Sequence, residues 1–166
     1  FVANPIDAFV LEKLTEHSLT PNPRATKAEL IRRLYLEMLG LPPTPAEVQT
    51  FVADGRLDAY QHLVERTLAS PHYGERWARY WLDLVRFAET NGYETNRERP
   101  YAWPYRDYVI RSLNTDKPFD LFLVEQLAGD ELVSRPYRNL SDADKDRFVA
   151  TGFLRNGPDG TADRSV

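Results

Sequence analysis

The sequence predicts an all-α domain: an irregular bundle of seven or eight short helices with one long, functional-looking loop at about 89–103. Three observations carry this. Apolar residues recur at three- and four-residue spacing in most segments. Capping residues followed by proline, with glycine further on, mark helix starts and stops. No alternating run of five or more residues bounded by turns reads as a strand.

The elements follow in order. Asn4-Pro5 is an N-cap with proline at the first helical position, and Ile6, Phe9, Val10 and Leu14 keep helical spacing behind it. Pro21 and Pro23 make 18–25 an extended loop. Thr26-Lys27-Ala28-Glu29 is a capping box; Leu30, Ile31, Leu34, Tyr35 and Met38 share one face, and Gly40 is placed to end that helix. Thr44-Pro45-Ala46-Glu47 repeats the pattern ahead of Val48, Phe51 and Val52, with Gly55 as the stop. A fourth helix starts near Asp58 and carries Tyr60, Leu63, Val64 and Leu68. Ser70-Pro71 opens a helix expected over about 71–88. Further starts fall near Pro104, Pro118 and Ser141, and Gly129 closes the helix that begins at Pro118.

A chain of 166 residues suits one domain, expected over 1–156, with a frayed or truncated tail over 157–166. A chain of this size buries roughly 70% of its unfolded surface, so it needs no disulfide or metal to hold a core. The absence of cysteine excludes a thiol nucleophile, an iron–sulfur site, and a haem attached through C-x-x-C-H in this chain. Net charge is −4, and acidic residues outnumber basic ones in each third, so no basic stripe argues for nucleic acid. No apolar run approaches the ~18–20 residues of a membrane span. The opening FVANPIDAF has no initiator Met and no signal-peptide pattern, and reads as a piece of a longer protein or as a mature or engineered product. Arginine outnumbers lysine 17 to 4. That excess fits pairing with carboxylates and other anions, and equally a GC-rich genome.

Aromatic residues are unevenly placed. Of 20, ten lie between Tyr73 and Tyr108, including Trp77, Trp81 and Trp103. They suit a core built on helix 71–88, whose apolar face would hold Tyr73, Trp77, Tyr80, Trp81, Leu84 and Ala88. They equally suit an aromatic-lined cleft, best at Tyr93, Tyr101 and Trp103 on or beside the loop. A charged stripe on the same helix, Arg76, Arg79, Asp83 and Arg86, is either a ladder with Asp83 held between Arg79 and Arg86 or the floor of a polar pocket. The loop then reads Glu89-Thr90-Asn91-Gly92-Tyr93-Glu94-Thr95-Asn96-Arg97-Glu98-Arg99. Its oxygen donors could serve a hard cation, but their spacing is not that of an EF-hand, and no metal site is assigned. Asp83, Arg86, Glu89, Asn91, Tyr93, Glu94, Trp103 and Arg106 are expected to converge on one ligand site, because positions 83 and 86 would share a helix face just before the loop and Arg106 follows its return.

No H-E-x-x-H, G-x-G-x-x-G or P-loop occurs, and His17, His62 and His72 stand in no triad-like context. No catalytic residue is assigned. Three functions stay open: a module that binds a polyhydroxylated or anionic ligand, a carbohydrate-active enzyme using a carboxylate pair, and a purely structural domain.

The segments NPIDAFVLEKL, ELIRRLYLEMLGLPPTPAEV, LASPHYGERWARYWLDLVRFAETNGYE, YRDYVIRSLNTDKPFDLFLVEQLAGDEL and ATGFLRNGP closely resemble a planctomycete-type domain of unknown function, from Asn4 to Pro158. That domain usually follows a cytochrome-c-like haem module in large exported proteins. The resemblance implies an extracytoplasmic location, a c-type haem in a neighbouring domain and none in this chain. It also implies partners among the other domains of one longer protein, and a carbohydrate connection, since such proteins often sit beside sugar-degrading enzymes. It supplies no catalytic residues.

Overall fold

A computed structural model describes residues 2–92 and 96–157. Among these are eight α-helices: α1 Pro5–Glu16, α2 Lys27–Met38, α3 Pro45–Ala53, α4 Ala59–Leu68, α5 Pro71–Leu84, α6 Trp103–Asn114, α7 Phe119–Ala128 and α8 Asp142–Ala150. Two 3₁₀ segments, Gly129–Leu132 and Thr151–Arg155, extend α7 and α8, and no strand occurs among the described residues.

The caps explain where the helices begin. Thr26 and Glu29 exchange bonds at the head of α2: the Thr26 N–H donates to Glu29 Oε2 at 2.7 Å, and the Glu29 N–H to Thr26 Oγ1 at 3.3 Å. Thr44 and Glu47 repeat the pair on α3. The second oxygen of Glu47 also accepts from the Tyr35 hydroxyl at 3.0 Å, which fastens α3 to α2. Ser70 supplies no side-chain cap to α5. Asn114, at the far end of α6, does so instead. Its Oδ1 accepts from the Gly74 N–H at 2.7 Å and its Nδ2 donates to the Pro71 carbonyl at 3.0 Å.

Two apolar cores result. Ile31, Tyr35, Phe51, Ala59 and Leu63 join α2, α3 and α4. Ala78, Tyr105, Tyr108, Val109, Phe122 and Ala150 join α5, α6, α7 and α8. Gly74 and Ala78 are the buried residues of α5, and their size lets α6 approach closely. A Cβ on Gly74 would lie 2.6 Å from both the Asn114 side chain and the Ile110 carbonyl. The second core contains a polar seam. The buried Gln126 Oε1 accepts from the Tyr105 hydroxyl at 2.5 Å and from Trp81 Nε1 at 3.0 Å. Its Nε2 donates to the Phe122 carbonyl at 3.0 Å, so the amide is satisfied at both ends.

The structure corrects the reading of the aromatic helix. It stops at Leu84 rather than 88. Arg86 takes a left-handed φ of 58°, while the Phe87 N–H reaches back to the Leu82 carbonyl and the Arg86 N–H to the Asp83 carbonyl. That is a Schellman closure with arginine where glycine is usual. Arg86 is therefore past the helix and does not share its face with Asp83. The helix is also less buried than its composition suggests: Tyr80 is 55% and Leu84 71% exposed, while Trp77 and Trp81 are half-buried. Gly129 does close α7, as the sequence expects, standing as its C-cap just after Ala128, though not in the left-handed conformation. Its φ is −59°, the chain continues into a 3₁₀ turn, and a Cβ there would strike the Arg147 carbonyl of α8 at 2.2 Å.

Candidate functional site

The loop between α5 and α6 folds back on itself as a short hairpin. Thr90 and Glu98 form an isolated antiparallel bridge. The Arg99 N–H donates to the Glu89 carbonyl at 2.7 Å and the Asn91 N–H to the Arg97 carbonyl at 2.8 Å. Beyond that pair Gly92 takes a φ of 66°, and its carbonyl accepts from the Asn96 N–H at 3.2 Å. The hairpin delivers Glu89 and Glu98 to the same recess as Trp103, a space of about 390 Å³ whose wall also includes Arg99. Trp103 is half-exposed at the start of α6. Arg106, one turn further along, donates through Nη1 to Glu89 Oε1 and through Nε to Asp107 Oδ1, each at 3.0 Å.

Glu89, Trp103 and Arg106 are thus placed together, while Asn91 pairs with Arg97 further along the hairpin and is not in the wall of the recess. Asp83 lies in a different recess, beside Arg76, Arg79 and Phe87. The expected ladder is absent among the described residues, where Asp83 pairs with neither Arg79 nor Arg86; ending the helix at Leu84 removes the i, i+3 relation that would have brought Arg86 to it. Tyr93 and Glu94 lie outside the described residues. No group of three or more His, Asp or Glu among the described residues is arranged to hold a metal ion, and no helix there is long and apolar enough to cross a membrane.

The larger cleft lies on the other side of Arg99. It has a volume of about 590 Å³ and runs between the hairpin's return and the 3₁₀ segment Thr151–Arg155. Arg99, Tyr101, Tyr105, Gly152, Arg155 and Asn156 are in its wall. Arg99 is held in place, with Nη2 donating to the Arg155 carbonyl at 2.7 Å. Tyr101 is 88% exposed. Asn156 is buried and its Nδ2 has no hydrogen-bond partner. Burial pushes the Tyr105 hydroxyl up to about 12, so it stays protonated at physiological pH. Gly152 lets the segment pass close to Tyr105, since a Cβ there would already stand 3.4 Å from the Tyr105 Cβ.

The sequence pointed to Tyr101 but not to Arg99, Arg155 or Asn156 as its companions. Arg99 belongs to the loop and was available as a signal. The other two reach the site from more than fifty residues away, through the turn that follows α8.

A family model for PSCyt2, described as a protein of unknown function (DUF1549), matches residues 5–165. No curated protein and no solved structure matches the chain. That family match spans both cores, the hairpin and the two recesses around it, and the chain belongs to the PSCyt2 family of proteins of unknown function.

Proposed function

We propose that the domain is a binding module for an anionic, polyhydroxylated ligand of the acidic-sugar kind, held in the cleft between the hairpin's return and the Thr151–Arg155 segment. One observation carries the reading: Tyr101, 88% exposed, stands in the same wall as two arginines. An aromatic ring left open to solvent gives a sugar ring a face to stack on. The Arg99 guanidinium beside it, anchored through Nη2, has further N–H groups with which to pair a carboxylate or sulfate. The buried Asn156 Nδ2, beside the Tyr105 hydroxyl, adds a donor at the same wall. Compared with the site expected from sequence, the reading keeps the loop and the ligand class and moves the contact residues to Arg99, Tyr101, Arg155 and Asn156. The Glu89–Arg106 pair then supports the hairpin from behind.

The same reading includes a haem-bearing neighbour within one extracytoplasmic protein, and its support is the likeness of the quoted segments.

Titration with trigalacturonate (anionic) and maltotriose (neutral), followed by the amide shifts of Arg99, Tyr101, Ala102 and 151–156, tests the binding reading. Trigalacturonate is expected to shift these amides saturably. Tyr101→Ala should weaken it by at least about tenfold without changing the melting temperature, because that ring is exposed. Absence of saturable shifts with either sugar refutes the proposal, and equal affinity for both removes the arginines' part in it.

A further inference from the structure

The recess beside Asp83 carries more charge than the fold uses. It has a volume of about 510 Å³ and lies along α5, walled by Arg76, Arg79, Tyr80 and Asp83 with Leu82 and Phe87. It shares no lining residue with the cleft at Tyr101. Among the described residues, no side-chain hydrogen bond or ion pair engages Arg76, Arg79 or Asp83. Glu75, the acid next to Arg76 in the chain, is taken up by His72 at 2.8 Å. Arg79 and Asp83 stand four residues apart on the helix, a spacing that permits an ion pair, yet none forms.

Arg76 is held in position without being neutralised. Its stem packs so closely on Gly40 that a Cβ there would stand 2.8 Å from Arg76 Cδ. Its guanidinium carbon lies 5.2 Å from the centre of the Tyr80 ring. Stacking of that kind uses the face of the guanidinium and leaves its N–H donors, which lie in the plane, open to an acceptor. Nε is buried without a hydrogen-bond partner, and the two Nη groups have none either among the described residues. Arg79 follows one turn later, about 4.5 Å along the helix axis, exposed and in the same wall. Two guanidiniums one turn apart repel each other, and no paired carboxylate offsets them among the described residues. The wall sets two cations against one carboxylate, an excess of one positive charge.

We infer that this recess binds a phosphate monoester of a small polyol. The phosphate carries roughly two negative charges near neutral pH and meets the two arginines, whose planar forks suit its oxygens. Asp83, a further turn along the helix, accepts hydrogen bonds from the polyol hydroxyls. Inorganic phosphate alone leaves Asp83 unanswered, and a neutral polyol leaves both arginines so. The volume suits a single ring with its phosphate.

Glucose 6-phosphate is the probe, with glucose and inorganic phosphate as its separate halves. The backbone amides of 76–83 and the Nε–H of Arg76 are the readout. Glucose 6-phosphate should shift them saturably, and glucose should leave them in place. Inorganic phosphate should bind at least about tenfold more weakly than the sugar phosphate. Arg79→Gln, at an exposed and unpaired position, should weaken glucose 6-phosphate by at least about tenfold with little change in melting temperature. Asp83→Ala should bring the affinity for glucose 6-phosphate close to that for inorganic phosphate, and Tyr101→Ala should alter neither. Four results overturn the proposal: no saturable shift of these resonances, a response confined to Arg99, Tyr101 and Ala102 in the other cleft, equal affinity of the parent for glucose 6-phosphate and inorganic phosphate, or an Arg79→Gln protein that binds as the parent does.

Discussion

At the scale of single residues, backbone geometry and close approach decide more than hydrophobicity does. Gly74 is a glycine because α6 leaves no room for a methyl group, with two atoms of Asn114 and a carbonyl within 2.6 Å of where it would stand. Gly74→Ala is expected to destabilise by about 1–3 kcal/mol, as overpacking does, and a chemical-denaturation midpoint measures it. Arg86 presents the opposite case: a side chain at φ 58°, exposed, closing a helix. A non-glycine residue in that region costs roughly 1–2 kcal/mol. Arg86→Gly should therefore raise stability by about 1 kcal/mol, and a lower midpoint would mean that the guanidinium has a structural partner. Sequence spacing could not show either feature. The first depends on an element packed from forty residues away and the second on φ, whereas Thr26 and Thr44 were legible because a cap and its glutamate lie within one turn.

At the scale of elements, the helix starts were legible and some of the ends and buried faces were not. An N-terminus is written locally, in four residues whose side chains bond to their own backbone. The end of α5 is set by where α6 and the hairpin require the chain to turn. Its buried face is Gly74 and Ala78 rather than the aromatic residues, because small residues let two helices approach. The same locality makes the capping boxes sensitive to acid. Hydrogen bonds from Thr26 hold the Glu29 carboxyl below its ordinary range, chiefly through the backbone N–H, and Thr44 does the same for Glu47, chiefly through its hydroxyl. A carboxyl with a depressed folded-state pKa contributes stability that is present above its unfolded pKa and is lost as pH falls through the folded value. Thr44→Ala should therefore cost about 1 kcal/mol near neutral pH and progressively less in acid. A cost independent of pH from 7 down to about 3 would show that the glutamate gains nothing from the cap.

At the scale of the molecule, the question is whether two cores behave as one. The first lies within α2–α4 and contains no tryptophan; all three tryptophans lie from α5 to the start of α6. The two are joined by the continuous turn from Leu68 to Pro71 and by a contact at Gly40, where the Arg76 side chain packs so closely that a Cβ would stand 2.8 Å from its Cδ. Gly40 itself requires a φ of 73°, and its N–H closes on the Tyr35 carbonyl of the first core at 3.1 Å. Arg76 meanwhile stacks on Tyr80 at 5.2 Å in the aromatic surface of α5. This chain of contacts couples the cores, and Leu63→Ala tests it. Leu63 is 2% exposed in the first core, so truncation should cost about 2–5 kcal/mol. In a coupled molecule, tryptophan fluorescence and far-ultraviolet circular dichroism report the same lowered midpoint, although no tryptophan lies in the altered core. If the fluorescence transition stays where it was while part of the dichroism melts early, the α2–α4 unit unfolds alone. The α5–α8 unit, which carries the cleft beside the hairpin, would then fold independently of α2–α4.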